Sequence, residues 1–177
     1  MRERGIRYGL QTMCEGGGTA NRLGEEGAAF GYLGRNLPQE RMTVAVGSVA
    51  QARAALDATI EYVRERKAFG APVASFQNTK FELAAVAAEI EAAQAMLDRA
   101  VLELVDRRLS GADAAKVKLF RTETQARAVD RCLQLFGGYG YVTEYPIARL
   151  YADARVARIY AGTSEVMKVI TAKSLGL

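Results

Sequence analysis

Beyond Pro38, apolar positions recur at helical spacing almost without a break. Val46, Val49, Ala50, Leu56, Ile60 and Val63 share one broad stripe, which predicts a long helix over about residues 42–66, stopped by Lys67-Ala68-Phe69-Gly70-Ala71-Pro72. A second stripe, built from Phe81, Leu83, Val86, Ile90, Met96, Leu97, Val101, Leu104 and Val105, predicts a helix from an N-cap near Ser75 to a stop at Ser110-Gly111. It would be roughly 35 residues, or about 50 Å, long. Val117, Leu119, Phe120, Val129, Leu133 and Leu135 predict a third helix over about 112–136, closed by Gly137. Pro146 opens a shorter one to about 157, and Thr163-Ser164 caps a last one that ends before Gly176. Short connections between long amphipathic helices imply antiparallel neighbours, so the expected fold is all-α, an antiparallel four-helix bundle with an additional C-terminal helix over 28–177. Residues 1–27, with Gly16-Gly17-Gly18 among Glu and Arg, hold no period and are expected to be irregular. No internal repeat is present.

Composition narrows the chemistry. In 177 residues, 50% hydrophobic and 25% charged, there is enough apolar material for one soluble domain with a core. The absence of His excludes imidazole-based nucleophiles, HExxH zinc sites and histidine proton shuttles, so any proton transfer falls to Asp, Glu, Lys, Tyr or Cys. Cys14 and Cys132 lie far apart, with no CxxC pair and no metal-ligand spacing. No metal site is expected, and with no secretory signal a reducing cytoplasm is the natural location. No stretch reaches the length of a membrane span. The net charge of +4 raises nucleic acid as a partner, but in Glu61-Tyr62-Val63-Arg64-Glu65-Arg66-Lys67 the charges of both signs interleave as on a solvated helix face. The basic excess fits an anionic ligand equally well, and no nucleic-acid partner is expected.

Five local features stand out: Leu37-Pro38-Gln39-Glu40-Arg41; Glu65-Arg66-Lys67-Ala68-Phe69-Gly70; Ser75-Phe76-Gln77; Gln134-Leu135-Phe136-Gly137-Gly138-Tyr139-Gly140-Tyr141; and Ile159-Tyr160-Ala161-Gly162-Thr163-Ser164-Glu165-Val166. Singly, each has an ordinary explanation. Pro38 suits a helix first turn, so Glu40 reads as a first-turn acid near a helix N-terminus. Arg66 reads as a surface residue, Phe69 as core, the glycines as a helix end and loop, and Thr163 as a cap. In this order and spacing, with Tyr145-Pro146-Ile147-Ala148-Arg149 and Asp153-Ala154-Arg155, they resemble the C-terminal helical domain of the acyl-CoA dehydrogenase family from about residue 21 to the end.

The resemblance implies an FAD-dependent enzyme in which a glutamate removes the α-proton of an acyl-CoA while a hydride leaves the β-carbon for the flavin, giving a trans-2-enoyl-CoA. A carboxylate suited to that task sits in a dry pocket that raises its pKa. The family's usual carboxylate position is Ala161 here, so the base is expected at the alternative position used by the long-chain and isovaleryl branches, which is Glu40. The resemblance assigns Arg66, Phe69, Gln77, Gln134, Gly137, Gly138, Thr163 and Glu165 to FAD, with Arg66 and Gln77 reaching it across a subunit interface. Arg41, Tyr160, Ala161 and Gly162 fall on the substrate side, where the Ala161 N–H would polarise the thioester carbonyl. It also implies a homo-oligomer, or a relative that supplies an N-terminal helical domain and a β-domain absent from this sequence, and electron-transferring flavoprotein as acceptor. Residues 1–27 then read as the remnant of an exit from that β-domain. Two alternatives stand beside this reading: a non-catalytic assembly module or subunit of a split flavoenzyme, and an acyl-CoA oxidase on the same fold. In either case, helix faces that serve as interfaces should leave apolar area exposed and drive association to at least a dimer.

Overall fold

The computed structural model describes residue 25 and residues 27–177. The irregular segment expected over residues 1–27 therefore lies almost wholly outside the described residues. The chain divides into two units, residues 1–36 and 37–177. In the first, the Glu25 N–H donates to the Tyr32 hydroxyl at 3.4 Å and the Arg35 guanidinium lies 5.5 Å from the Tyr32 ring centre. All the candidate site residues belong to the second.

Five α-helices make up the fold: α1 (Ala29–Glu65), α2 (Gln77–Val105), α3 (Gly111–Phe136), α4 (Pro146–Val156) and α5 (Ser164–Ser174). A small antiparallel hairpin, β1 (Lys67–Ala68) and β2 (Ala71–Pro72), links α1 to α2. The buried face of α1 is centred on Met42, Ala45, Val49, Ala52, Leu56, Thr59 and Val63, in alternating steps of three and four, and is widened by Arg41, Val44, Ser48 and Ala55. Thr59 belongs to that face because its hydroxyl is satisfied by the Ala55 carbonyl at 2.6 Å. The core-facing line of α2, Val86, Ile90, Ala93, Leu97, Ala100, follows the same steps. By contrast, α3 buries a broad face, about half of its circumference, from Ala114 and Ala115 through Val117, Lys118, Arg121 and Gln125 to Cys132 and Phe136. It is the central helix: the main cluster joins α1, α2, α3 and α4 through Val49, Leu56, Ile90, Val129 and Ile147. Across the α2–α3 surface, Arg131 donates to Glu82 at 2.6 Å and to Glu89 at 2.9 Å.

Several boundaries differ from the periodicity reading. Residues 29–41 are helical, so Pro38 lies inside α1 and Glu40 and Arg41 are mid-helix residues, not residues of a first turn. Proline lacks one backbone donor and crowds the preceding turn, yet tertiary burial of Arg41, Met42 and Val44 just beyond it outweighs that local preference. Ser75 does not cap α2; its hydroxyl bonds the Pro72 carbonyl at 2.6 Å and closes a 3₁₀ turn, Val73–Ser75, while Phe76 precedes the helix. Nor does α2 reach Ser110. It stops at Val105, the chain reverses through Arg107 at φ 56, and Ser110 caps α3 by accepting from the Asp113 N–H at 3.0 Å. The same hydroxyl donates to the Asp113 carboxylate at 2.6 Å and is the leading cause of that group's lowered pKa. Val46, Phe81, Val101, Val105 and Phe120 were expected on apolar stripes and are exposed.

Ile90→Ala should destabilise the unit by about 2–5 kcal/mol, because the side chain is fully enclosed. Val105→Ser, at 74% exposure, should change stability by less than about 0.5 kcal/mol. Urea unfolding followed by circular dichroism reads both.

Candidate functional site

A cleft of about 610 Å³ opens where the end of α1, the hairpin, the start of α2 and the end of α3 meet. Its inner wall is aromatic. Tyr62 and Phe136 stack with centroids 4.1 Å apart at 14°, and Tyr145 sets its edge against both at 5.9 Å. The Tyr62 hydroxyl donates to the Phe136 carbonyl at 3.2 Å, satisfying an acceptor that the end of α3 leaves free. Burial raises the Tyr62 pKa, which keeps that donor protonated. Arg66 follows one residue after α1, and its guanidinium lies 5.0 Å over the Tyr139 ring.

Arg66, Phe69, Gln134, Gly137 and Gly138, all assigned to one cofactor, line this one cleft. Phe69 is not core. It sits at the hairpin turn with φ 52 beside Gly70 at φ 81, the pair of positive values a two-residue hairpin turn needs, and is 99% exposed. The glycines divide by cause: Gly137 ends α3 at φ 58, and a Cβ on Gly140 would come within 2.7 Å of the Leu133 carbonyl oxygen. A Cβ on Gly138 would meet nothing, so backbone opening onto the cleft is the one feature its missing side chain supplies there. Gln77 stands exposed at the first position of α2 and is not part of the lining. Thr163 and Glu165 lie elsewhere, at the start of α5.

A second constellation surrounds the turn between α4 and α5. Ala161 has φ 54 and Gly162 φ 102, and a Cβ on Gly162 would approach the Met167 methyl to 2.6 Å. The Arg41 Nε donates to the Ala161 carbonyl at 3.3 Å, and the Lys118 Nζ to the Gly162 carbonyl at 2.7 Å. Ser164 donates to Glu123 at 2.6 Å, Arg158 meets the same carboxylate at 3.4 Å, and Thr163 caps α5 through the Val166 N–H. Glu165, in the first turn of α5, has a lowered pKa, chiefly from a backbone hydrogen bond and next from the Thr163 side chain. Tyr160 is partly exposed. Glu40 is exposed on this chain, one residue from the Arg41 contact that ties α1 to the turn.

Lys118 was not among the sequence candidates. Its place within the buried series Ala114, Val117, Arg121, Gln125, Ala128 is the signal that could have found it, since a lysine on the inward face of a helix requires a partner. Burial, then the nearby Arg41 charge, lowers its pKa from 10.5 to about 8, against the pull of Glu123 and Glu165. Among the described residues no group of three or more His, Cys, Asp or Glu side chains could hold a metal ion, and no helix is long and apolar enough to cross a membrane.

The family profile of the acyl-CoA dehydrogenase C-terminal domain matches residues 28–176. The chain is 40% identical over 153 residues to the long-chain specific acyl-CoA dehydrogenase, mitochondrial, of Rattus norvegicus, covering 86% of this chain and 36% of that protein. A crystal structure of acyl-CoA dehydrogenase from Geobacillus kaustophilus superposes with a TM-score of 0.84 at 42% identity, over 88% of this chain and 41% of that one. A chain in a structure described as an electron transferring flavoprotein of Acidaminococcus fermentans superposes at 0.82 with 33% identity, over 86% and 40%. The chain belongs to the acyl-CoA dehydrogenase family, of which it carries the all-α C-terminal domain. It spans about two fifths of the length of the relatives it matches.

The Lys118 pKa generates a stability signature. Below about pH 8 the amine is charged in both the folded and the unfolded chain, and burying that charge opposes folding. Between about 8 and 10.5 the unfolded chain holds a proton that the folded chain has released, so the Lys118 contribution to stability rises with pH. Lys118→Met should lack that rise when its urea midpoint is compared with the unaltered chain from pH 7 to 10.5.

Proposed function

We propose that this chain supplies the helical bundle of an FAD-dependent acyl-CoA dehydrogenase that converts an acyl-CoA to the trans-2-enoyl-CoA. The observation that carries the reading is the convergence of Arg66, Phe69, Gln134, Gly137 and Gly138 on one cleft. Its donor set suits such a cofactor: a permanently charged guanidinium for a pyrophosphate, a side-chain amide, open glycine backbone and exposed aromatic faces for flat rings. When bound, FAD supplies the hydride acceptor.

The remaining roles belong to the chain's own residues. Arg66 and Gln134 hold the dinucleotide, with Gln77 and Phe69 beside them. Thr163 and Glu165 serve the same cofactor from the start of α5. These two sets lie toward opposite ends of α3; residues 118 and 137 are about 28 Å apart along that helix. A cofactor that meets both is therefore bound by two copies, one giving the cleft and the other the turn. Exposed Phe81, Leu102 and Val105 on α2 supply apolar area for such an assembly, and they also favour the assembly-module reading as a second role of the same surface. On the substrate side, the Ala161 N–H polarises the thioester carbonyl, Arg41, Tyr160 and Gly162 shape its surroundings, and the Glu40 carboxylate takes the α-proton. Arg41, the residue after Glu40 on α1, bonds the Ala161 carbonyl, which supports a carboxylate on α1 serving the space that one on the turn would. Glu40 is open on this chain, and the dry cover a carbon-acid base needs comes from the rest of the assembly. Electron-transferring flavoprotein fits as acceptor, in keeping with the structural neighbour of that description. A reducing cytoplasm suits the free, buried Cys132 thiol.

In the assembled enzyme Glu40→Gln should retain FAD and slow flavin bleaching by acyl-CoA about 10²–10⁴-fold. Bleaching at the normal rate would remove Glu40 from the role. Arg66→Ala should weaken FAD retention about 10–100-fold, the loss expected for one charged hydrogen-bonding group, measured as absorbance at equilibrium. If neither the chain nor its assembly retains FAD, the reading fails.

A further inference from the structure

We propose that Lys118 is a positioning residue for the Ala161–Gly162 turn: with Arg41 it draws two successive carbonyls inward and so turns the peptide N–H groups toward the substrate side. The inference rests on the proposed acyl-CoA reading only for what those N–H groups would meet. The clamp itself stands on geometry.

A left-handed alanine followed by a glycine at φ 102 is a conformation the chain does not choose unaided. Two cations from different helices hold it. Arg41 on α1 donates to the Ala161 carbonyl at 3.3 Å, and Lys118 on α3 donates to the Gly162 carbonyl at 2.7 Å. Both side chains are enclosed, Arg41 at 6% exposure and Lys118 at 0%, so neither bond competes with bulk water. In a trans peptide the carbonyl of one residue and the N–H of the next point opposite ways, so the Arg41 bond turns the Gly162 N–H, and the Lys118 bond the Thr163 N–H, to the other side of the turn. Among the described residues no acceptor takes either N–H. Two adjacent free donors, with the Ala161 N–H one peptide earlier, are the disposition that binds an anion or a polarised carbonyl oxygen. Lysine suits the task better than a neutral donor of the same length because its amine donates in either protonation state. The contact also explains why a basic residue is kept on the inward face of the central helix.

The test is amide exchange on the full chain. Lys118→Met, which keeps the length of the side chain and removes its donor, should speed exchange of the Tyr160 and Ser164 amides, which bond the Val156 and Arg158 carbonyls on either side of the turn, at least tenfold and leave the Val86–Ala100 stretch of α2 within about twofold. Arg41→Met should do the same, and the two effects should be non-additive because they loosen one turn. Unchanged exchange at Tyr160 and Ser164 would overturn the proposal, as would a parallel rise along the whole chain. If Lys118→Met yields no folded protein, the unaltered chain decides: nuclear Overhauser contacts from the Lys118 ε-methylene to the Gly162 α-protons are expected, and their absence overturns the assignment. In the assembled enzyme Lys118→Met should lower kcat more than it raises KM for acyl-CoA, with FAD content unchanged. A turn that loosens in an enzyme that never reacts with acyl-CoA would leave the clamp standing and defeat the proposed activity. An active enzyme whose turn ignores the substitution would do the reverse.

Discussion

The polar side chains on the buried face of α3 are the constraint on which the rest of the structure depends. That face, unlike the one carrying Arg127, Asp130 and Gln134, is closed to solvent, so every polar residue on it needs a partner. Lys118 meets the turn before α5, Arg121 reaches the Ala93 carbonyl of α2 at 2.6 Å, and Gln125 bonds Gln51 of α1 at 2.6 Å. The match is incomplete at the Gln125 Oε1 and at Arg121, whose Nε and second terminal nitrogen have no partner among the described residues; burial lowers the Arg121 pKa to about 10. These contacts fix which neighbour lies where along α3, a task that interchangeable apolar contacts do less sharply.

Strain is concentrated where the two constellations are built. Of the non-glycine residues with positive φ, Phe69 lies at the cleft and Ala161 at the turn, while Arg107 serves the reversal between α2 and α3. Phe69 is held by its own hairpin and Ala161 from other helices. The hairpin pairing of Lys67 with Pro72 and of Ala68 with Ala71 sets Phe69 out at the rim, and the Arg41 and Lys118 bonds set Ala161. A rigid bundle thus presents its irregular backbone at defined places, which is what the proposed binding of a flat, charged cofactor and a thioester requires.

Helix identity was legible in the sequence because the apolar period of α1, α2 and α3 extends over many turns, and because Gly137 marks the end of α3, and Pro146 and Thr163 the starts of α4 and α5, by local chemistry. The boundaries that sequence misplaced are those where tertiary burial outweighs a local signal. Pro38 looks like a helix start but lies within a helix whose next turn is packed, and Ser75 looks like a cap but closes a 3₁₀ turn. The cleft residues were legible through their order and spacing, which the hairpin and the end of α3 translate into proximity. Lys118 was not, because its role depends on a contact 44 residues away that no local pattern encodes. Phe81 and Val105 belong to the apolar stripe of the sequence yet are exposed among the described residues; periodicity reports burial without saying against what.

The central claim is that one cofactor site draws its cleft from one copy and its turn from another. Complementation between copies tests it most directly: assemblies carrying Arg66→Ala and assemblies carrying Glu40→Gln are each prepared, then dissociated, mixed and reassembled, and flavin bleaching by acyl-CoA is measured. Composite sites predict that the mixture recovers a substantial part of the unaltered activity, since a hybrid pairs an intact cleft with an intact base. A mixture no more active than its two components would contradict the claim.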